Sequence, residues 1–291
     1  MDQPQIIYDP DVIDQLEISG FLAEVMSHMR EHVEKRRQEV PIAGLRALNT
    51  IQRRPLDVIN ALKADRNISL IIEIKRQTHM GRLLFDERYE PDKIARYYQD
   101  IGIQAVAVAT NEKYYAGALH HLTYVSQAVK IPVIRQDFVF DRYQVYEARA
   151  AGADGVLLIA ALLGQYRLWD LISLTQRLRM TALVQVENEA ELARALNVDP
   201  RIICISNVDW RTLEVDLNKT TRLAKYIPDH ILKVSMGGVR TADDVLLLAE
   251  AGVDAIMIGE AILGAPDQYK AVRDLFSSLF SETTDPWKFI E

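Results

Sequence analysis

Cysteine is almost absent from this chain: Cys204 is the one cysteine in 291 residues, so no internal disulfide can form. It lies within the apolar run Ile202-Ile203-Cys204-Ile205, the setting of a buried, inert thiol. A basic surplus is also missing. Lys and Arg number 34 against 41 Asp and Glu, a net charge of -7, which leaves nothing to neutralise a phosphate backbone and argues against a nucleic-acid partner. The basic stretch Arg30 to Arg37 is interleaved with Glu31 and Glu34 and reads as a solvated helix face. Nowhere do 18 apolar residues run together, and no charged-then-apolar leader opens the chain, so the expectation is a cytoplasmic protein with no membrane partner. Low-complexity segments and linkers are lacking, which points to a single domain. There is no Gly-x-Gly-x-x-Gly, nucleophile elbow or redox-cofactor fingerprint. His120 and His121 are adjacent, so they point apart on a regular element, and no third ligand falls at metal spacing. Neither a metal nor a cofactor is expected.

What the chain does have is alternation. From about residue 70, short β-branched runs at 71–74, 105–109, 132–135, 155–159, 182–186, 202–206, 231–235 and 255–258 are each followed by a helix-length amphipathic segment. Gly102, Gly152 and Gly252 recur in one setting, where a helix ends and a strand begins two residues later. Eight such units predict parallel strands closed into a (β/α)8 TIM barrel over 67–291, with an open doubly wound sheet as the competitor. Residues 1–66 fall outside the alternation. Phe21 to Val33 has helical spacing and Pro55-Leu56-Asp57-Val58-Ile59 reads as a helix with proline in its first turn, so an N-terminal helical extension packed on the barrel is expected.

The run Leu70-Ile71-Ile72-Glu73-Ile74-Lys75 sets two charges on one face of an apolar strand. Such charges are costly unless paired or used, so Glu73 and Lys75 read either as a buried structural ion pair or as a catalytic pair at the barrel mouth. Active residues of these barrels gather at strand C-termini and the following loops. The candidates are Glu73, Lys75, Thr78 and His79; Thr110, Lys113, Tyr114 and Tyr115; Arg135, Gln136, Asp137 and Phe138; Gln185 and Glu187; Ser206, Asn207, Asp209 and Trp210; Ser235, Met236, Gly237 and Gly238; and Gly259 and Glu260. Lys75 and Lys113 are candidate proton donors if burial or neighbouring charge lowers their basicity, with Glu73 as orienting group or base. Gly237, Gly238 and Gly259 either form an anion seat of backbone N–H groups or merely permit tight turns.

The barrel portion resembles indole-3-glycerol-phosphate synthase through Ile72-Glu73-Ile74-Lys75-Arg76, Glu112-Lys113-Tyr114-Tyr115-Ala116-Gly117, Pro132-Val133-Ile134-Arg135-Gln136-Asp137-Phe138, Gly155-Val156-Leu157-Leu158-Ile159-Ala160-Ala161-Leu162-Leu163 and Ile258-Gly259-Glu260-Ala261. That resemblance implies ring closure by attack of an aryl carbon on a carbonyl, with loss of carbon dioxide and water. It also exposes departures. The acid lysine of the family's Arg-Lys-Asp-Phe motif is Gln136 here, and the base glutamate of its Val-Glu-Val motif is Gln185. The Ile-Asn-Asn-Arg-Asp-Leu segment reads Ile205-Ser206-Asn207-Val208-Asp209-Trp210, and Ser-Glu-Ser-Gly reads Ser235-Met236-Gly237-Gly238. Glutamine neither gives nor takes a proton at neutral pH. Glu73, Lys75 and Lys113 survive as the catalytic set. Thr78, His79, Tyr114, Gln136, Phe138, Gln185, Ser206, Asn207, Trp210, Met236, Gly237, Gly238, Gly259 and Glu260 are left to bind a small aromatic or indole substrate. A branch that looks similar is the indole cyclase of scytonemin biosynthesis. That resemblance implies ring closure on the indole of a β-keto acid, the acyloin of indole-pyruvate and hydroxyphenylpyruvate. A true indole-3-glycerol-phosphate synthase and a non-catalytic aromatic-ligand-binding relative are the alternatives.

Overall fold

The computed structural model describes residues 18, 20–63, 68–85 and 88–277. Eight strands close on themselves in sequence order, and every neighbouring pair is parallel. They are β1 (Ser69–Ile74), β2 (Ala105–Ala109), β3 (Val133–Gln136), β4 (Gly155–Ile159), β5 (Thr181–Val186), β6 (Ile202–Ser206), β7 (Leu232–Met236) and β8 (Ala255–Ile258). The barrel expectation is met, and the pairing of β1 with β8 rules out the open sheet. The strands are almost wholly buried because both faces are covered, which is why they read as continuous apolar runs. One face fills the interior with Ile71, Ala107, Ile134, Leu157, Leu183, Cys204, Val234 and Met257. Cys204 is fully buried there, and burial pushes its thiol far above the ordinary range, so it is inert as its setting implies.

The helices are α1 (Gly20–Glu39), α2 (Ile42–Ile51), α3 (Val58–Leu62), α4 (Pro91–Asp100), α5 (Glu112–Tyr115), α6 (Leu119–Ala128), α7 (Arg142–Ala150), α8 (Gln165–Arg177), α9 (Glu189–Leu196), α10 (Asn218–Leu223), α11 (Ala242–Glu250), α12 (Glu260–Leu263) and α13 (Gln268–Phe276). Gly102, Gly152 and Gly252 all take positive φ just past α4, α7 and α11, as their sequence setting requires. Among the described residues, no helix is long and apolar enough to cross a membrane.

Helices α1 to α3 precede β1; residues 1–17, 19 and 64–66 of the expected extension lie outside the described residues. Helix α1 buries Leu22, Val25, Met26, Met29 and Val33. Its basic end is not merely solvated. Arg36 grips Glu147 of α7 at 2.7 Å and Arg37 grips Asp141 at 2.8 Å, because the last turn of α1 runs against the start of α7. Helix α3 closes the N-terminal end of the barrel, where Val58, Ile59 and Leu62 join the interior cluster. It starts later than its proline suggests. Asp57 caps it by accepting from Asn60 N, which leaves Pro55 in the extended approach.

That approach is pinned by Asp154, which is fully buried and accepts from Leu56 N, Val133 N and both Nη atoms of Arg53. Replacing Asp154 by alanine strands two backbone donors and one guanidinium. A loss of about 3 kcal/mol is expected, read as a lowered urea midpoint at unchanged slope.

Candidate active site

A cavity of about 750 Å³ opens at the C-terminal end of the strands. Its floor follows from barrel geometry, in which alternate strands supply the side chains of one layer. Here β1, β3, β5 and β7 contribute Glu73, Gln136, Gln185 and Met236, all of which line the cavity. From sequence, strands three and seven end one residue earlier. The ladder pairs Ala109 with Gln136 and Ser206 with Met236, which makes both residues part of their strands.

Glu73 and Lys75 are each 6 % exposed and lie together as their spacing requires. Lys75 Nζ donates to Glu73 Oε2 at 3.0 Å and to Glu260 Oε1 at 3.3 Å, while Gln136 Nε2 donates to Glu73 Oε1 at 2.9 Å. Burial works against the charge on Lys75, but Glu73 and Glu260 outweigh it, so its pKa is raised. The expectation of a lysine made less basic is therefore reversed. Lys75 is a fixed cation, suited to hydrogen-bond and stabilise a developing oxyanion. Gly259 is required beside it, since a Cβ there would lie 2.8 Å from Glu73 Oε2 and 3.1 Å from Glu73 O.

An aromatic wall rises from this floor. Phe138 and Trp210 line the cavity, and Phe21 of α1 stacks on Trp210 with ring centroids 5.6 Å apart and planes 9° apart. Phe21 also meets Tyr114, Phe138 and His79 edge-on. Phe21 backs the wall rather than lining the cavity, and the sequence carried no signal for that contact, because an apolar residue opening a helix reads as packing. Tyr115 lines the cavity too, stacked on Phe138 at 6.0 Å. His79 at the rim is held below the usual imidazole range by burial and by Lys75, so it is neutral at pH 7.

Thr78, Ser206, Gly237, Gly238 and Glu260 line the cavity as the sequence suggests, but Lys113, Tyr114 and Asn207 do not. Lys113 points away from it, with Nζ 2.8 Å from Glu24 of α1. Helix α5 turns Tyr114 and Tyr115 inward, so the residue before them faces solvent. Tyr114 lies behind the wall, packed on Phe21 and Phe138. Asn207 is fully buried as a brace, donating to Ser235 Oγ, Met236 O and Gly237 O and accepting from Thr220. Asp137 does line the cavity, but its carboxylate, like Arg135 and Thr110, is committed to a buried network. The guanidinium of Arg135 sits between Asp137 at 2.9 Å and Glu147 at 3.3 Å, and its Nε donates to Thr110.

Gly237 and Gly238 both take positive φ, 82° and 83°. Cβ atoms there would meet Val208 Cγ2 at 2.9 Å and Val215 Cγ1 at 2.2 Å. Val208 and Val215 pair across the loop between β6 and α10, and with Trp210 and Leu213 they give the cavity an apolar side facing the Glu73–Lys75–Glu260 side.

Glu187 holds that loop by accepting from Trp210 N at 3.3 Å. Burial and the neighbouring Glu191 push its pKa up from 4.5 to about 8. The folded protein therefore binds more protons than the unfolded chain between these values, so the stability Glu187 contributes is complete below pH 4.5 and lost as pH rises through about 8. The wild-type melting temperature is expected to fall over that range and that of Glu187→Gln to fall less; parallel curves would refute the linkage.

Among the described residues, no group of three His, Cys, Asp or Glu side chains gathers as a metal ion requires. His120 and His121 do not point apart. Their rings meet edge-on at 4.5 Å on α6, and His121 is pushed down to about 4 by burial and by His120.

The profile of the family described as Indole-3-glycerol phosphate synthase matches residues 22–275. An indole-3-glycerol phosphate synthase of Roseiflexus sp. (strain RS-1) is 39 % identical over 262 residues, covering 87 % of this chain and 97 % of the relative. One from Parafrankia sp. (strain EAN1pec) is 40 % identical over 257 residues, covering 88 % and 95 %. Among solved structures, a 3-hexulose-6-phosphate synthase superposes with a TM-score of 0.59 at 15 % identity, covering 73 % of this chain and all of that one, a likeness of fold alone.

Proposed function

Because this chain belongs to the indole-3-glycerol phosphate synthase family, whose members are decarboxylating carbon–carbon cyclases, we propose that it is a cofactor-independent cyclase of an indole-bearing β-keto acid. The substrate in this reading is the acyloin of indole-pyruvate and hydroxyphenylpyruvate units, as in scytonemin biosynthesis. One observation carries the reading. The cavity floor presents two amides, Gln136 and Gln185, at the positions where the family motifs hold an acid lysine and a base glutamate, while Glu73, Lys75 and Glu260 remain assembled.

In this mechanism the Lys75 ammonium hydrogen-bonds the ketone oxygen as the indole carbon attacks it. The new carbon–carbon bond turns the ketone into an alkoxide, which takes its proton from Lys75, and the ring proton collected by Glu73 passes across their hydrogen bond to recharge the amine. Glu73 orients Lys75 and takes the ring proton that restores aromaticity. Water leaves next, and the indole-conjugated cation that remains is the electron sink for the adjacent carboxylate, whose carbon–carbon bond breaks to release carbon dioxide and leave an enol that tautomerises to the ring ketone. The aromatic wall of Phe138 and Trp210 and the apolar loop of Val208, Leu213 and Val215 suit a two-ring substrate better than a sugar-phosphate chain.

The second reading, indole-3-glycerol phosphate synthase itself, is favoured by relatives at 39 % and 40 % identity along nearly their whole length. The two readings part in experiment. The proposed cyclase releases carbon dioxide from the acyloin and fails to complement a tryptophan auxotroph lacking that synthase. Complementation, with no turnover of the acyloin, would select the second reading instead.

A further inference from the structure

The two floor amides are left with unused hydrogen-bonding capacity. Gln136 Nε2 donates to Glu73 Oε1, and because an ionised carboxylate only accepts, this bond fixes which way the amide faces. Its carbonyl oxygen is then the free end, shielded from bulk water and without a partner among the described residues. Gln185 Nε2 is in the same condition on a side chain 1 % exposed. The Trp210 ring N–H is a third such atom on the adjoining wall. Buried polar atoms of this kind are matched by ordered water or by a ligand, and all three residues line one cavity.

We infer that Gln136 and Gln185 form a neutral amide reader, in which the Gln136 carbonyl oxygen accepts the ring N–H of an indole ligand and the Gln185 amide donates to an oxygen of the same ligand. The ligand class rests on the reading proposed above. The argument is one of complementarity. A ligand ring without an N–H leaves the Gln136 oxygen unpaired and buried, the situation in which sites built to hydrogen-bond a substrate discriminate most strongly. A charged group against this part of the floor would find amide dipoles rather than a counter-ion. Gln136 also couples recognition to chemistry, because the amide that meets the ring N–H holds Glu73 in place with its other end.

The test is isothermal calorimetry on the full chain with indole-3-acetate and its isostere benzothiophene-3-acetate, which has the same shape and no N–H. Wild type is expected to bind the indole at least about tenfold more tightly. Gln136→Met should bring the two within about twofold of each other, while Gln185→Met weakens both and keeps the preference. Equal wild-type affinities, no wild-type binding of indole-3-acetate at millimolar concentration, or a preference retained in a folded Gln136→Met would each overturn the inference. The wild-type comparison stands even if a variant does not fold. Carbon dioxide release from the acyloin separates the two claims. Indole preference without turnover defeats the proposed reaction and spares the reader, whereas turnover without preference does the reverse.

Discussion

Lys75→Met should lower kcat by a factor on the order of 10² to 10⁴ in a carbon dioxide release assay, the range spanned by the loss of a positioned proton donor or oxyanion partner. Methionine keeps most of the buried stem and removes the charge. Two carboxylates, Glu73 and Glu260, then face a cavity from which their shared cation has gone. The raised pKa of Lys75 sharpens the expectation. Its charge is present throughout the neutral range, so an alkaline loss of activity near pH 8 would belong to another group. Glu73→Gln should separate orientation from charge. If Glu73 serves as base as well as orienting Lys75, that variant loses turnover while indole binding persists through Gln136. Near-wild-type rates for both variants would refute the assignment of the reacting groups.

The second large effect is on stability. Arg135→Met is expected to destabilise the fold by about 3–5 kcal/mol, the penalty for breaking a buried ion pair by removing one partner. The Arg135 side chain is 1 % exposed, and it is shared between Asp137 and Glu147, both almost fully buried. Asp137 is opposed by burial, but Arg135 and the donors Thr110, Asn111 and Phe138 N hold its carboxyl below the usual range. A depressed folded pKa gives stability that is present above the unfolded value of 3.8 and lost as pH falls through the folded value. The wild-type denaturant midpoint should therefore decline on acidification below about pH 4. Arg135→Met should lose this acid-side decline and instead gain stability as pH falls toward 4, because an unpaired buried carboxylate takes up its proton in the folded protein before it does in the unfolded chain. A midpoint unchanged by the substitution would mean that the network is not holding β3 to α7.

Most of the barrel was legible because its causes are local and repetitive. Gly102, Gly152 and Gly252 mark the same helix-to-strand junction, and strands buried on both faces cannot hide their apolar runs. Glu73 and Lys75 were legible for a related reason, since two charges in such a run demand an explanation. The errors came where position depends on tertiary packing. Lys113 lies in a stretch shared with the family, yet a four-residue helix turned by its two tyrosines sends it outward to Glu24, a partner 89 residues earlier. Asn207 looked like a ligand-binding amide and is consumed in tying β6 to β7. Gln136 and Met236 fell one residue outside the apparent strand ends because a ladder, not composition, decides where a strand stops. The stacking of Phe21 behind Trp210 was invisible, for nothing in a helix of mixed composition announces what its first turn will touch.

That last contact changes what counts as the minimal reaction chamber. A chain cut just ahead of β1 would still contain Glu73, Lys75 and both glutamines, so every proton-handling and amide group discussed would be in hand. It would lack the ring stacked on Trp210, the anion that draws Lys113 aside, and the arginine that shares Glu147 with Arg135. Swapping the segment before β1 between relatives thus changes what backs Trp210 while leaving the strands untouched. Deleting it loosens both the chamber and the scaffold at once.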